Sequence, residues 1–209
     1  MKQAKCKICR RLGDKLFLKG EKCTSAKCAM VKRPFAPGQK AKKRRAALTE
    51  FGREMREKQK VKKWYNVSES QFKAYVTEVT EHRVSGVDVA SQLIGKLESR
   101  LDNIVFRLGW AKSRGQARLL VTHGHFLVNG RKVDIPSYRI KVGDAITVRE
   151  GSKGKEALKN LPETMKKYSL PKWLSFDGAK LEGKVMRLPL PEDVQLPSEI
   201  STIFEHYSR

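Results

Sequence analysis

The chain has 209 residues, 39% of them apolar, which allows one large or two modest cores, and no apolar run approaches the roughly 18 residues of a membrane-spanning helix. Lysine and arginine number 45 against 22 acidic residues, a formal charge of +23 that repels itself in isolation and points to a polyanionic partner, of which nucleic acid is the densest. A membrane surface is the weaker alternative, because the basic segments lack a paired Trp, Phe or Leu face, and the basic start MKQAKC leaves no room for a secretory or transit segment, so a reducing cytoplasm is expected.

All four cysteines fall within the first 28 residues, as Cys6 and Cys9, then Cys23 and Cys28. Two close pairs joined by a short spacer are what a tetrahedral four-thiolate Zn2+ site requires. Lys5, Lys7, Arg10, Lys22 and Lys27 surround them and are expected to lower the thiol pKa values, favouring the metal-binding thiolate. The spacer can bury only Leu12, Leu16, Phe17 and Leu18, so metal binding and folding are expected to be one event. An iron–sulfur cluster can use the same four thiolates; disulfides do not suit a reducing compartment, and unliganded thiols leave the clustering without a reason.

The stretch from Arg33 to Gln39, with Pro34, Pro37 and Gly38, reads as a stiff connector ending in a turn. Lys40, Lys42, Lys43, Arg44 and Arg45 then form the densest basic run, read as a phosphate-tracking arm in preference to a solvated tail. Residues 1 to 63 hold 22 basic and 5 acidic residues, which makes this third the main electrostatic footprint. Thr49 is placed to cap a helix running to about Lys63, with Glu50 and Glu54 early and Lys58, Lys60, Lys62 and Lys63 late, as the helix dipole prefers. Those lysines, with Arg53 and Arg56, are candidate RNA contacts. A capping box from Ser68 to Gln71 opens a second helix with Phe72, Val76 and Val79 inward, and Gly86 and Asp88 separate it from a helix leading into Leu93.

Residues 97 to 148 carry the most specific pattern. Leu97, Leu101, Ile104, Val105 and Leu108 make one apolar stripe of a helix that Gly109 stops, leaving Arg100 and Arg107 off the stripe. Ser113 and Gln116 cap a second helix with Ala117, Leu120 and Val121 inward and Arg114 and Arg118 sharing a face, closed by His123 and Gly124. Phe126 to Val128, Asn129-Gly130 and Arg131 to Val133 form a type I′ hairpin, and Ala145 to Val148 a third strand. His123 and His125 flank the basic face, where they can stack on a base, bond a phosphate or serve packing and capping. Beyond Gly154, a helix is expected over residues 158 to 168, strands at Trp173 to Phe176 and Val185 to Leu188 joined through Gly178 and Gly183, and an apolar face of Ile200, Ile203 and Phe204 at the end.

Residues 97 to 148 resemble the S-four RNA-binding module. Glu98-Ser99-Arg100-Leu101-Asp102-Asn103 and Val128-Asn129-Gly130-Arg131, together with Arg56-Glu57-Lys58-Gln59-Lys60, Ser68-Glu69-Ser70-Gln71-Phe72 and Tyr207-Ser208-Arg209, resemble the universal S-four family of bacterial small-subunit ribosomal proteins in its zinc-knuckle form, over nearly the whole chain. Two departures stand out. The chain lacks the Arg-Tyr-x-Gly-Pro segment that usually precedes the first cysteine, and Ala36, Lys40 and Ala41 replace residues of the family's Pro-Pro-Gly-Gln-His-Gly linker.

The resemblance implies an α+β protein: a four-cysteine zinc knuckle and basic arm (1–45), a helical domain (46–88) completed by 190–209, and an inserted S-four module with a small antiparallel sheet (89–189). It implies a primary binder of small-subunit ribosomal RNA that nucleates assembly and affects decoding accuracy, with neighbouring ribosomal proteins and messenger RNA near the entry channel as partners, and in some members repression of its own operon. Candidate RNA contacts in the module are Arg100, Arg107, Arg114, Arg118, His123, His125, Asn129 and Arg131. No enzyme is expected. Arg100-Leu101-Asp102 imitates the catalytic tripeptide of pseudouridine synthases, but Asp102 falls mid-helix inside the module and no segment remains for a catalytic domain, so it is read as a partner for nearby cations. The rival classes are such an RNA-modifying enzyme and a four-cysteine zinc transcription factor.

Overall fold

A computed structural model describes residues 4–38, 47–83, 86–159, 161–166, 168–178 and 180–208. The basic run Lys40, Lys42, Lys43, Arg44 and Arg45 lies outside the described residues. In chain order the helices are α1 (Lys5–Leu12), α2 (Glu21–Thr24), α3 (Ala29–Lys32), α4 (Glu50–Tyr65), α5 (Glu69–Glu81), α6 (Val89–Glu98), α7 (Leu101–Arg107), α8 (Arg114–Thr122), α9 (Glu156–Lys159), α10 (Leu161–Lys166) and α11 (Ser201–Ser208). The strands are β1 (Phe126–Val128), β2 (Arg131–Lys132), β3 (Ala145–Val148), β4 (Leu174–Asp177) and β5 (Glu182–Val185). This is an α+β protein of two compact units, Met1–Gly86 with Leu196–Arg209, and Val87–Gln195.

In the first unit the helix ends follow local chemistry. The Thr49 hydroxyl accepts the Gly52 N–H and starts α4, and the Ser68 hydroxyl accepts the Gln71 N–H and starts α5. Helix α4 runs two residues past Lys63 to Tyr65, where Asn66 turns left-handed at φ 58° and its N–H reaches the Lys62 and Lys63 carbonyls. Val61, Phe72, Val76 and Val79 are buried, and α11 lies along α4 with Ile203 fully enclosed. Each such side chain contributes about 1.5–3 kcal/mol by leaving water. Tyr207 of α11 comes within 6.4 Å of the Phe72 ring, and the Lys58 ammonium lies 5.1 Å from the Tyr207 ring centre.

The second unit corrects the single helix expected over residues 97 to 108. Helix α6 ends at Glu98 and α7 begins at Leu101, with Arg100 extended between them and bridged to Arg139. The Leu101 N–H donates to the Tyr138 carbonyl at 2.9 Å and the Ile140 N–H to the Ser99 carbonyl at 2.9 Å, so a distant segment replaces the helical ladder there. Leu97 and Leu101 are both fully buried and four apart, which is why the apolar period passes through the break unmarked. At α8 the Ser113 hydroxyl accepts the Gln116 N–H, while Gln116 Oε1 accepts from the Lys112 N–H, one residue before the position a capping box would use.

Asn129 and Gly130 both have positive φ, 49° and 78°, as a type I′ hairpin requires. All pairings are antiparallel, in the strand order β2-β1-β3-β5-β4. The last strand is shifted from its expected place: it ends at Val185 instead of beginning there, and Met186 and Leu188 are 61% and 56% exposed. Gly183 lies inside β5 against Leu108, whose Cδ1 would stand 2.6 Å from any Cβ at that position. The helix expected over 158 to 168 is instead α9 and α10, which turn Leu158, Leu161 and Met165 into the core. That core is centred on Trp110, stacked 5.6 Å from Phe126 and edge-on to Phe176.

Candidate nucleic-acid interface and cysteine cluster

The four cysteines come from three short helices. Cys6 and Cys9 lie one turn apart on α1, Cys23 is in α2, and Cys28 stands at the N-terminus of α3. All four line one small cavity with Phe17, Leu18 and Met30, and none is in a disulfide. Cys9, Cys23 and Cys28 are buried and Cys6 half-buried, and the Lys19 N–H donates to Cys23 Sγ at 3.3 Å. Burial pushes the Cys9 thiol above its ordinary pKa; a backbone hydrogen bond at Leu16 works against this, and Cys23, Cys6 and Cys28 push it further up. The expected lowering by surrounding lysines is therefore reversed at Cys9, because burial and the other sulfurs dominate over side chains at the surface. Among the described residues no group of three or more His, Cys, Asp or Glu side chains is arranged to hold a metal ion. What the folding does accomplish is to bring four sulfurs from both pairs around one cavity.

The cations of α4 are largely committed within the protein. Lys58 and Lys62 are buried and both pair with Glu69. Lys60 lies 2.7 Å from Asp14 and 2.7 Å from Glu57. Arg56 bonds the Leu12 carbonyl. Burial lowers the Lys63 pKa, with neighbouring Lys62 adding to the effect and Glu69 opposing it. Arg53 is exposed and reaches the Leu48 carbonyl at only 3.4 Å. Spacing identifies these residues as cationic, but not which of them meet a carboxylate from another segment.

In the module, Arg100 makes two hydrogen bonds to Asp102, at 3.0 and 2.8 Å, both side chains buried. Arg118 reaches the same carboxylate at 3.3 Å. Fully buried Glu98 accepts from Arg107 at 2.6 and 2.8 Å and from Asn103 at 2.6 Å. Asn103 Oδ1 in turn accepts from Arg114, whose guanidinium lies 4.5 Å from the Phe106 ring centre. Three arginines thus share two carboxylates and Arg114 is tied in through Asn103, while Arg118, its side chain 45% exposed, brings the surplus charge to the surface.

His125 is buried, its Nδ1 3.0 Å from the Ser152 hydroxyl. Burial lowers its pKa, and Lys155, His123 and Arg149 lower it further. His123 is exposed, its ring 6.1 Å from that of His125. Asn129 holds the hairpin, donating to Asp144 at 2.7 Å and accepting from the Ala145 N–H at 2.9 Å, while Arg131 and Lys132 on β2 are exposed. Sequence reasoning missed Lys132, Arg149 and Lys155 at this face. Lys132 lies across Gly124, where a Cβ would collide with it, and Arg149 and Lys155 arrive through β3 and the turn after it, which no local spacing marks.

Residues 1–98 match the family model of the ribosomal protein S4/S9 N-terminal domain, and residues 99–146 that of the S4 domain. The chain is 50% identical to the small ribosomal subunit protein uS4 of Caldicellulosiruptor bescii, over 98% of this chain and 96% of the relative. It is 48% identical to the uS4 protein of Thermus thermophilus over the same shares. The uS4 protein of Acetivibrio thermocellus is 46% identical, over 99% of this chain and 97% of its own length.

Proposed function

We propose, on the premise that the chain belongs to the uS4 family of small-ribosomal-subunit proteins, that it clamps a folded junction of small-subunit ribosomal RNA early in assembly, by phosphate contacts from several directions that read shape more than sequence. It is a structural constituent of the ribosome and not an enzyme. The single observation that carries this reading is the match to uS4 proteins over 98% of the chain at about half identity, with both family models in tandem. The charge of +23 and the exposed cations Arg118, Arg131 and Lys132 support an RNA partner. Asp102, enclosed by Arg100 and Arg118, has the surroundings of a structural anion. Contacts with neighbouring ribosomal proteins and with messenger RNA near the entry channel, a contribution to decoding accuracy, and a cytoplasmic, ribosome-bound location belong to the same proposal and rest on the resemblance.

The proposal includes one Zn2+ held by Cys6, Cys9, Cys23 and Cys28. Four sulfurs around one cavity, with a backbone N–H on one of them, support it. The metal would supply folding free energy to α1–α3 and no catalysis. Elemental analysis of anaerobically purified protein tests it: about one zinc per chain is expected, and the Cys23→Ser protein is expected to lose it. Iron with acid-labile sulfide would replace zinc by a cluster, and absence of any metal would reject both.

A further inference from the structure

The loop that closes α1, Leu12-Gly13-Asp14, is held from α4. Arg56 donates through Nε to the Leu12 carbonyl at 2.7 Å and through Nη2 to the same oxygen. One turn further along, Lys60 lies 2.7 Å from the Asp14 carboxylate. Gly13 is left-handed at φ 82°, and a Cβ there would collide with the Arg56 guanidinium, so the glycine permits both the turn and the approach. Burial opposes the Lys60 charge, yet Asp14 and Glu57 raise its pKa above the usual value, so the ammonium stays charged where the clasp needs it.

These contacts fall where α1 is weakest. The helix has eight residues and no side-chain N-cap, and helices that short are marginal by themselves. The Leu12 carbonyl lies at the negative end of the helix dipole, among the last carbonyls that the helix leaves without partners. A guanidinium there satisfies that acceptor and interacts favourably with the dipole. The same helix carries Cys6 and Cys9, half of the cysteine cluster, and it packs against both α4 and α3.

We infer that Arg56, seconded by Lys60, is a positioning residue for the cysteine cluster: by closing α1 from α4 it presets Cys6 and Cys9 for metal and couples retention of the metal to the docking of α1 on α4. The inference rests on the zinc reading above. Coupling is reciprocal, so metal strengthens the docking as the docking strengthens metal binding. It also gives Arg56 and Lys60 a task inside the protein that their place in a basic stretch does not suggest.

The test is the rate at which zinc passes from the full-length protein to a chromophoric chelator, read beside far-UV circular dichroism and melting temperature. The Arg56→Gln/Lys60→Gln protein should release zinc about tenfold faster than the wild type, within the usual range of site-to-site coupling. Each single variant should be intermediate, with Arg56→Lys recovering part of the loss. Val76→Ala, a core cavity on α5, serves as the control that lowers the melting temperature without touching the clasp, and its release rate should match the wild type. Should the double variant fold poorly, Lys60→Gln alone still decides, because it keeps both Arg56 bonds. Zinc present and released equally fast from wild type and clasp variants overturns this inference alone; release that tracks melting temperature in Val76→Ala as well reduces it to general stability and overturns it too. A wild type that carries no zinc overturns the metal reading and this inference together.

Discussion

On α8 the Arg114 guanidinium is buried, bonded to Asn103 and laid on Phe106, while Arg118 one turn away reaches Asp102 from a half-exposed position. Replacing Arg114 with Gln strands the buried Asn103 oxygen and should cost about 1–3 kcal/mol, read as a lower melting temperature. Replacing Arg118 with Gln should cost under about 1 kcal/mol, because its half-exposed end is screened by solvent and Asp102 keeps both hydrogen bonds from Arg100, yet it should weaken RNA binding and reduce the salt slope by roughly 0.7–0.9. Equal melting temperatures for the two variants would contradict this division. A second prediction at this scale concerns Glu69. Burial works to raise its pKa, but hydrogen bonds from Lys58 and Lys62 outweigh it and hold the carboxyl at about 2. A depressed carboxylate contributes stability that is complete above its unfolded value, near about 4.3, and is lost as pH falls from there toward 2. The side chain is 46% exposed, so the effect is modest. Wild type should therefore lose melting temperature between about pH 4.5 and 2 more steeply than Glu69→Gln; parallel curves would show that the two lysines and Tyr207, which also donates to Glu69, do not depend on its charge.

At the scale of elements, Gly183→Ala in β5 tests the register of the sheet. The added Cβ would stand 2.6 Å from Leu108, and overpacking of this kind costs about 1–3 kcal/mol. An unchanged melting temperature would mean that β5 does not lie against Leu108, the residue that closes α7, at that position. The same strand shows what sequence can and cannot reveal. Caps at Thr49, Ser68 and Ser113, and the Asn129-Gly130 turn, are local chemistry and appear where the residues predict. The break at Ser99 and Arg100 is imposed by partners nearly 40 positions away, so a period read along the chain passes through it. For β5, the stretch Val185 to Leu188, apolar except for Arg187, looks more like a strand than Glu182 to Val185, whose place is set by pairing with β3 and β4. Residue types at the candidate site are legible for a similar reason: two cysteine pairs and a surplus of arginine are visible in one dimension. Which arginines face inward depends on where Glu98 and Asp102 end up, and that is decided by packing.

For the whole molecule, the cysteine cluster and the basic surface make separate predictions. Chelating the proposed metal should unfold α1–α3 while leaving the Val87–Gln195 unit intact, because that unit has its own core around Trp110 and Trp173; near-UV circular dichroism from those tryptophans should persist. Neutralising Lys42, Lys43, Arg44 and Arg45 together should weaken RNA binding and shrink the salt slope by roughly 0.7–0.9 for each phosphate that the variant no longer neutralises; an unchanged slope would show that this run faces solvent. The first test concerns how α1–α3 fold and the second how the protein holds RNA. Whether it belongs to the ribosome at all is decided more directly by sedimenting a lysate at physiological salt and following the endogenous protein. The protein should travel with the small ribosomal subunit and stay there until salt is raised well above physiological strength. Recovery of the protein free at the top of the gradient, with small subunits intact below it, would show that it is not a constituent of the small subunit.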